Sequence, residues 1–277
     1  MAQSSAQARH TRAFTLVELL VVVTIMAVLL TLVLPSLRAA KEHARIITCQ
    51  SQLGGIAKGL IGYALERDAF PITTDSTGKI CSWRYGGWSG SNPQLWKSHA
   101  QGALYVPTGE RPLSRYLLRE NTLPEEARMP TFRCPSDSRS FRASLPTPLR
   151  NATVSAYEDI GTSYHLNWHW FDTQTELPDV PPSQNRNADR VPRGERIWWK
   201  YMDRNSARFV VLLEDPADYG FHQEIQTTGW HKKFSKHNFA FLDGHAEYIE
   251  ADTRSLLQRG RWTLVDETPP YKEWLAK

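Results

Sequence analysis

An uninterrupted apolar run near the N-terminus constrains this chain more than any other feature. The run extends from Phe14 to Leu34 and carries a single ionisable residue, Glu18. As an α-helix, its 21 residues would measure roughly 31 Å, which matches the hydrocarbon thickness of a bilayer. A cleaved secretory signal has a shorter apolar core followed by a small-residue cleavage site, whereas this run ends in Leu34-Pro35-Ser36. The sequence therefore predicts a membrane-spanning helix.

The charges that flank the run predict its orientation. Arg9 and Arg12 precede it, whereas Lys41 and Arg45 follow it with Glu42 between them. Because positively charged flanks remain in the cytoplasm, we expect a cytoplasmic N-terminus, although the asymmetry is modest. The net charge of the chain is +4, and these leading arginines supply two of those charges. The remainder is nearly balanced, so the sequence predicts no nucleic-acid partner.

Glu18 lies about one helical turn inside the apolar run. A carboxylate at the centre of a membrane helix costs about 2.5–3.5 kcal/mol on insertion scales, and less toward the ends. Two explanations for this residue stay open. Either the side chain reaches back to the lipid headgroups, or it pairs with a positive group of another chain at the same depth. A free amine at the start of the helix would supply that group if the chain were cut just before Phe14.

Residues 13–20, AFTLVELL, resemble the class III signal of type IV prepilins and type II secretion pseudopilins. In that family, prepilin peptidase removes a short basic leader, the new N-terminal Phe is methylated, and a Glu at the fifth mature position pairs with the amine of a neighbouring subunit. The resemblance implies cleavage between Ala13 and Phe14, methylation of Phe14 and an assembly role for Glu18. Pro35 stands where pilins often carry a helix-bending proline. The family prefers Gly at the position of Ala13, which implies slower cleavage here.

The helical pattern continues beyond the run. Between residues 36 and 66, apolar side chains recur in steps of three and four, which is typical of one stripe of an amphipathic helix. The stripe consists of Leu37, Ala40, Ala44, Ile47, Leu53, Ile56, Leu60 and Ala64. Gly54-Gly55 lies within it and is expected to loosen or bend the helix. The sequence thus predicts a stem helix whose apolar stripe packs against a sheet.

The resemblance to pilins implies an α+β fold, with a long N-terminal helix packed on a globular head that contains an antiparallel sheet. The expected organisation is a basic leader at residues 1–13, a membrane-spanning half-helix at 14–35, a stem at 36–67 and the head at 68–277. The resemblance also implies a single-pass inner-membrane protein with a periplasmic head. Its implied partners are prepilin peptidase, other pilin or pseudopilin subunits, the assembly platform and the lipid bilayer. No cofactor is predicted.

Local patterns predict the elements of the head. Pro112–Arg119 reads as a short helix with proline in its first turn, and Leu177–Arg196 reads as an exposed loop. Strands are predicted at Tyr164–Phe171 and, as a central strand, at Phe209–Leu213. The segment Asn238–Glu250 alternates in polarity on both sides of a turn signal and predicts a β-hairpin.

The turn signal of this hairpin is Asp243-Gly244. Aspartate followed by glycine is typical of a two-residue type I′ turn, in which both residues need positive φ. Such a turn would place Leu242 opposite His245. It would also put four residues together on the core face: Phe239, Phe241, Ala246 and Tyr248.

The head further resembles a group of pilin-like proteins with a processing-associated C-terminal signature, a DUF1559-like family. An ordered series of motifs carries this resemblance: a stem Cys, C-P-S-D, S-Y-x-x-N, V-L-L-x-D and a final D-G. They occur here at Cys49, at Cys134, Pro135, Ser136 and Asp137, at Ser163 to Asn167, at Val211 to Asp215, and at Asn238 to Asp243 and Gly244. The family motif is H-x9-D-G, and its histidine is replaced here by Lys233, which puts the role of that histidine in doubt.

The chain has three cysteines, Cys49, Cys81 and Cys134, whose spacing fits no zinc motif. In an exported head, one disulfide plus one free thiol is expected, and three buried reduced cysteines are the alternative. The sequence does not choose the pair.

An aromatic loop supports an alternative function. Residues 81–90, CSWRYGGWSG, place Trp83 and Trp88 among glycines and serines. Exposed rings there would stack on sugars, which would make the head a tethered module that binds glycans or an exported substrate. The competing interpretation is a loop that uses its own rings to pin itself to the head.

Catalytic and metal-binding functions are not predicted. His231, His237, Asp243 and His245 are competent ligands, but the predicted hairpin spreads them along its length. Calcium would be expected, if anywhere, at Glu214, Asp215 and Asp218. Glu214 and Asp215 are adjacent on a strand and should point to opposite faces. No G-x-S-x-G, P-loop or dinucleotide motif occurs in the sequence, so a structural subunit is predicted rather than an enzyme.

Overall fold

The structure, a computed structural model, describes residues 15–73, 81–90, 106–118, 124, 127–141, 154–169, 198–256 and 262–264. The chain divides between Ala44 and Arg45 into two units. The first contains the apolar part of a long helix, and the second contains the rest of that helix and an α+β head. The predicted loop Leu177–Arg196 and the predicted cleavage site lie outside the described residues.

A single helix, α1, runs from Leu16 to Arg67 and is 52 residues long. It ends at Asp68, whose positive φ of 52° breaks the helical conformation. Pro35 lies inside the helix and has no N–H to donate to the carbonyl of Thr31. The helix is long and apolar enough to cross a membrane. Every side chain of residues 15–41 is exposed.

The predicted stem stripe is confirmed from Leu53 onward. The helix buries seven residues in the head: Cys49, Leu53, Gly54, Ile56, Ala57, Leu60 and Ala64. Upstream, Leu37 and Ile47 are 60% and 53% exposed, and Cys49 is the first residue of the helix that is buried. Gly54-Gly55 does not interrupt the helix.

The head also contains several short helices. The predicted helix near Pro112 is confirmed as α2, Pro112–Leu118. Helix α3, Ala156–Ile160, begins with a Ser155 hydroxyl that accepts the Glu158 N–H and ends at Gly161 with φ 84°. Helix α4, Asp215–Gln223, follows a strand directly. Turns of 3₁₀-helix cover Thr108–Glu110 and Pro130–Phe132, and residues 198–204 are also helical.

The described strands form one antiparallel sheet in the order β1-β2-β3-β4. They are Tyr164–Leu166, Val210–Glu214, Lys236–Phe241 and Ala246–Glu250. The predicted central strand is confirmed, since every residue of β2 is buried. Strand β1 is shorter than predicted, because the side chain of Asn167 accepts the His169 N–H and turns the chain away.

The hairpin between β3 and β4 differs from the predicted two-residue turn. Phe241 donates its N–H to the His245 carbonyl and Gly244 donates to the Phe241 carbonyl, which defines a three-residue loop. In that loop Gly244 has a φ of 87° and Asp243 does not have a positive φ. The Asp243 carboxylate accepts the His245 N–H at 3.0 Å and thereby favours this loop.

The longer loop shifts the pairing by one residue. Phe239 pairs with Glu247 and Ala240 pairs with Ala246. Phe239 and Phe241 therefore lie on the opposite face from Ala246 and Tyr248, so the predicted shared core face is wrong. Strand β3 is buried on both faces from His237 to Phe241, which provides core on either side of the sheet.

Candidate functional site

The start of α1 is organised around Glu18. Its carboxylate accepts the Thr15 N–H at 2.9 Å and the Thr15 hydroxyl at 2.8 Å, while the Glu18 N–H points to that hydroxyl oxygen at 3.2 Å. This reciprocal pairing is a capping box, and it holds the carboxylate at the end of the helix. The T-x-x-E spacing of Thr15 and Glu18 in the sequence is the signal for this cap, which was not predicted.

Other polar groups of the apolar run are satisfied within the helix. The hydroxyls of Thr24, Thr31 and Ser36 donate to carbonyls three residues earlier, at 2.7–2.8 Å. These residues therefore need no partner from another chain. Glu18 differs, because hydrogen bonds from Thr15 bring no positive charge to its carboxylate.

The C-P-S-D motif forms a turn that presents Asp137 to the interior. The Asp137 N–H donates to the Cys134 carbonyl, and Ser136 and Asp137 are buried while Pro135 is exposed. The carboxylate accepts the N–H groups of Ala156 and Tyr157 at 2.9 and 2.8 Å, at the N-terminus of α3. Burial nevertheless raises the pKa of Asp137 to about 7.

Asp137 also joins this motif to the S-Y-x-x-N motif. The Ser163 hydroxyl donates to Asp137 at 2.6 Å and accepts the Cys134 N–H at 3.0 Å. Asn167, at the end of the second motif, donates to the carbonyls of Val210 and Leu264. Asp137 and Ser163 thus link Cys134 to the start of α3 in one buried hydrogen-bond network.

A disulfide joins the stem to this network. It pairs Cys49 of α1 with Cys134, with the two Cα atoms 5.3 Å apart. Cys81 is buried and outside the bridge. The expectation of one disulfide is confirmed, and the alternative of three reduced cysteines is wrong.

Two further residues lie against the bridge. Glu214 is the last residue of β2. Its carboxylate accepts hydrogen bonds from the side-chain amide and the backbone N–H of Asn238, at 2.8 and 3.1 Å. The Nε2 atom of His231 is 3.2 Å from Glu214 and 3.6 Å from the sulfur of Cys134. Lys233, which occupies the position of the family histidine, is exposed, whereas His231 is buried. His231 lies two residues before the position of the family histidine, and the sequence did not indicate that it would lie beside the disulfide.

The aromatic loop at residues 81–90 is packed into the head. Trp88 is 4% exposed, its ring centroid is 5.5 Å from that of Tyr157, and the Arg128 guanidinium covers it at 4.5 Å. Tyr85 is buried as well, and Trp83 is only half-buried. These contacts favour the interpretation of a self-pinned loop and argue against a sugar-stacking surface.

The predicted hairpin separates residues that are competent metal ligands, and the structure places His237 and His245 toward its opposite ends. His237 is buried at the far end of β3, where burial lowers its pKa to about 4, whereas His245 stacks on Phe241 beside the hairpin turn. Asp243 pairs with His245 rather than with His237.

The acidic residues that the sequence suggested for calcium are Glu214, Asp215 and Asp218, and in the structure each carboxylate accepts a hydrogen bond from the protein. Asp215 accepts the Phe141 N–H and lies 3.0 Å from His165, and Asp218 accepts the indole N–H of Trp168. Glu214 points instead toward Asn238, so the expectation that Glu214 and Asp215 face opposite ways is confirmed.

These features define a pilin-like α+β protein with a long apolar N-terminal helix. The family described as the prokaryotic N-terminal methylation motif matches residues 8–34. A particular relative is the type II secretion system core protein G of Pseudomonas aeruginosa, which is 34% identical over 67 residues, covering 24% of this chain and 47% of the relative. The chain thus spans about half the length of that relative. No solved structure matches the chain.

The motif and this similarity together support a pilin- or pseudopilin-type subunit. One apolar helix at the N-terminal end fits a membrane-anchored protein of that type.

Proposed function

We propose that this protein is a structural subunit of a type IV pilus or a type II secretion pseudopilus. Prepilin peptidase removes residues 1–13 by cutting between Ala13 and Phe14, and Phe14 is then methylated. The mature chain crosses the inner membrane once, through residues 14–35, with its head on the periplasmic side. The stem at 36–67 and the head at 68–277 complete the subunit. The methylation motif at residues 8–34 supports this assignment.

One observation carries the proposal: an exposed carboxylate, that of Glu18, lies in the first turn of an exposed apolar helix. Residues 15–41 present only exposed side chains, and lipid or neighbouring helices must cover the apolar ones among them. Cleavage before Phe14 would create an amine at the depth of Glu18. Two unit charges about 4 Å apart attract by about 4 kcal/mol at an effective dielectric constant of about 20, which is comparable to the roughly 2.5–3.5 kcal/mol that a carboxylate costs even at the centre of a membrane helix.

In the assembled filament, Glu18 therefore binds the methylated Phe14 amine of a neighbouring subunit. Packing of the apolar helices supplies the rest of the association, and the assembly platform in the inner membrane collects the subunits. Pro35 leaves the Thr31 carbonyl without its helical donor, which makes it the place where the helix adapts to its neighbours.

The first test is the intact mass of the native protein extracted from membranes. We expect a polypeptide that begins at Phe14 and carries one additional methyl group. A native chain that retains Met1 to Ala13 would contradict the proposal, because the amine would then not form at the depth of Glu18.

The second test replaces Glu18 by alanine. We expect Glu18→Ala to remain folded and membrane-bound but to lose most of its assembly, measured as the sheared filament fraction and as cross-linking between two differently tagged copies. Thr24→Ala is the matched control, because Thr24 bonds only to its own helix. Normal assembly of Glu18→Ala would remove Glu18 from the mechanism.

A further inference from the structure

The surroundings of the disulfide contain more ligating groups than a disulfide needs. The two sulfurs of Cys49 and Cys134, a carboxylate oxygen of Glu214 and a ring nitrogen of His231 all lie within 4.8 Å of one another. All four residues are buried. A carboxylate is costly to bury unless a positive group or a metal ion compensates it. This cluster lies outside the apolar helix segment of the proposed function.

The separations within the cluster match those of a tetrahedral zinc site. Zinc bonds of about 2.3 Å to sulfur and about 2.0–2.2 Å to nitrogen and oxygen set ligand-to-ligand distances of roughly 3.3–3.8 Å. Here Cys134 sulfur lies 3.6 Å from His231 Nε2 and 3.9 Å from Glu214 Oε1, and these two lie 3.2 Å apart. The sulfur of Cys49 lies within 4.8 Å of the other three ligand atoms. It is bonded to the sulfur of Cys134, and breaking that bond allows the two sulfurs to separate.

The ligands also have the support that zinc sites usually show. The side chain and the N–H of Asn238 hold the Glu214 carboxylate, and the ring of Tyr248 packs edge-on against His231 at 5.6 Å. Ligands that are oriented by second partners bind metal more tightly, by about 10–100-fold. Zn²⁺ accepts this combination of sulfur, nitrogen and oxygen ligands.

We propose that the reduced protein binds one Zn²⁺ ion through Cys49, Cys134, Glu214 and His231, and that the disulfide and the metal exclude each other. A dithiol reductant transfers two electrons and two protons to the disulfide and itself becomes a disulfide. The two thiols so formed release their protons to solvent when their sulfurs bind the ion. His231 binds as a neutral ring through Nε2. A disulfide oxidant that accepts two electrons from the two thiolates, and takes up two protons to become a dithiol, restores their bond and expels the ion.

The test uses the full-length protein in detergent, oxidised or reduced with a phosphine, and stripped of metal with a chelator. After addition of Zn²⁺ and desalting, metal analysis should give one ion per reduced chain and none per oxidised chain. With Co²⁺ as the probe, the reduced protein should show thiolate-to-cobalt charge-transfer absorption and the visible bands of tetrahedral coordination.

Three variants locate the site. His231→Gln and Glu214→Gln keep both cysteines, so circular dichroism of their oxidised forms shows whether they fold. Once reduced, they should bind zinc at least about tenfold more weakly, since even loss of a second-shell partner costs about that much. Cys81→Ser is the matched control, because Cys81 is buried outside the cluster and its variant should bind like the unmodified protein.

Each outcome decides the proposal. Reduced, folded protein that retains no more zinc than oxidised protein overturns it, and so does zinc binding that is unchanged in both His231→Gln and Glu214→Gln. If reduction unfolds the head, restoration of the fold by Zn²⁺ supports the site, and failure to restore it overturns the site.

Discussion

Asp137 shows how a single side chain can hold distant parts of the head together. Its carboxylate accepts two backbone N–H groups at the start of α3 and the hydroxyl of Ser163, which is 26 residues away. The carboxylate is also buried, and burial penalises its charged form more than the hydrogen bonds favour it. Asp137 therefore makes the stability of the folded protein depend on pH.

The direction of that dependence follows from the raised pKa. The pKa of Asp137 is about 7 in the folded protein, against about 3.9 for an unperturbed aspartate, so the native state holds a proton that the unfolded chain releases. The contribution of Asp137 is fully present below about pH 4 and is lost as the pH rises toward about 7. Replacement by asparagine should remove this decline, which amounts to at most about 1.4 kcal/mol per pH unit.

Urea unfolding followed by tryptophan fluorescence at about pH 5 and about pH 7 measures this effect. Asp252→Asn is the matched control: hydrogen bonds from Arg254 lower the pKa of the exposed Asp252 to about 2, below this pH window. Equal pH slopes for Asp137→Asn and the unmodified protein would show that Asp137 does not titrate in this range.

The stem helix and the hairpin meet closely enough to require glycine. A Cβ atom added at Gly54 would lie 3.0 Å from the carbonyl oxygen of Gly244, whereas one added at Gly55 would meet nothing within 4 Å. Gly54 therefore allows close backbone approach, and Gly244 supplies both the positive φ and the carbonyl that is approached.

This pair of neighbouring glycines gives a matched comparison. Gly55→Ala should stabilise the protein by about 1 kcal/mol, because alanine favours a helix over glycine by that amount. Gly54→Ala gains the same preference but crowds the hairpin, at a cost of about 1–3 kcal/mol. We expect Gly54→Ala to be at least about 1 kcal/mol less stable than Gly55→Ala in chemical unfolding. Equal stabilities would contradict the close contact between stem and hairpin.

Periodicity in the sequence was sufficient to predict the elements that bury one continuous stripe or run of apolar residues. The three- and four-residue steps after Leu53 and the apolar run before Glu214 correctly indicated the stem and the central strand, because burial directly imposes those patterns. The hairpin register was missed, since Asp-Gly suits loops of two or three residues and the Asp243 side chain decides between them. The cluster around His231 was missed because it forms only in the folded chain, where Cys134 meets Glu214 and His231 from 80 and 97 residues away.

At the scale of the molecule, the disulfide is the covalent link between the stem and the head. It spans 85 residues from Cys49 to Cys134. Closing a loop of that length removes much of the freedom of the unfolded chain, which is worth about 4–5 kcal/mol in the chain-entropy description.

We therefore expect the double substitution Cys49→Ser and Cys134→Ser to lower the free energy of unfolding by about 4–5 kcal/mol. The measurement is urea unfolding without metal or reductant. Cys81→Ser, which leaves the bridge intact, should change the free energy by much less. A double variant as stable as the unmodified protein would mean that the bridge does not constrain the head.

The position of Cys49 in the helix also has a mechanical consequence. It is the first residue of the helix that the head buries, and the noncovalent contacts of Leu53, Ile56, Leu60 and Ala64 all come after it. A tensile load arriving from the apolar end of the helix thus enters the head through a covalent bond before it reaches any of those contacts. In the oxidised protein, such a load cannot peel the stem away one turn at a time.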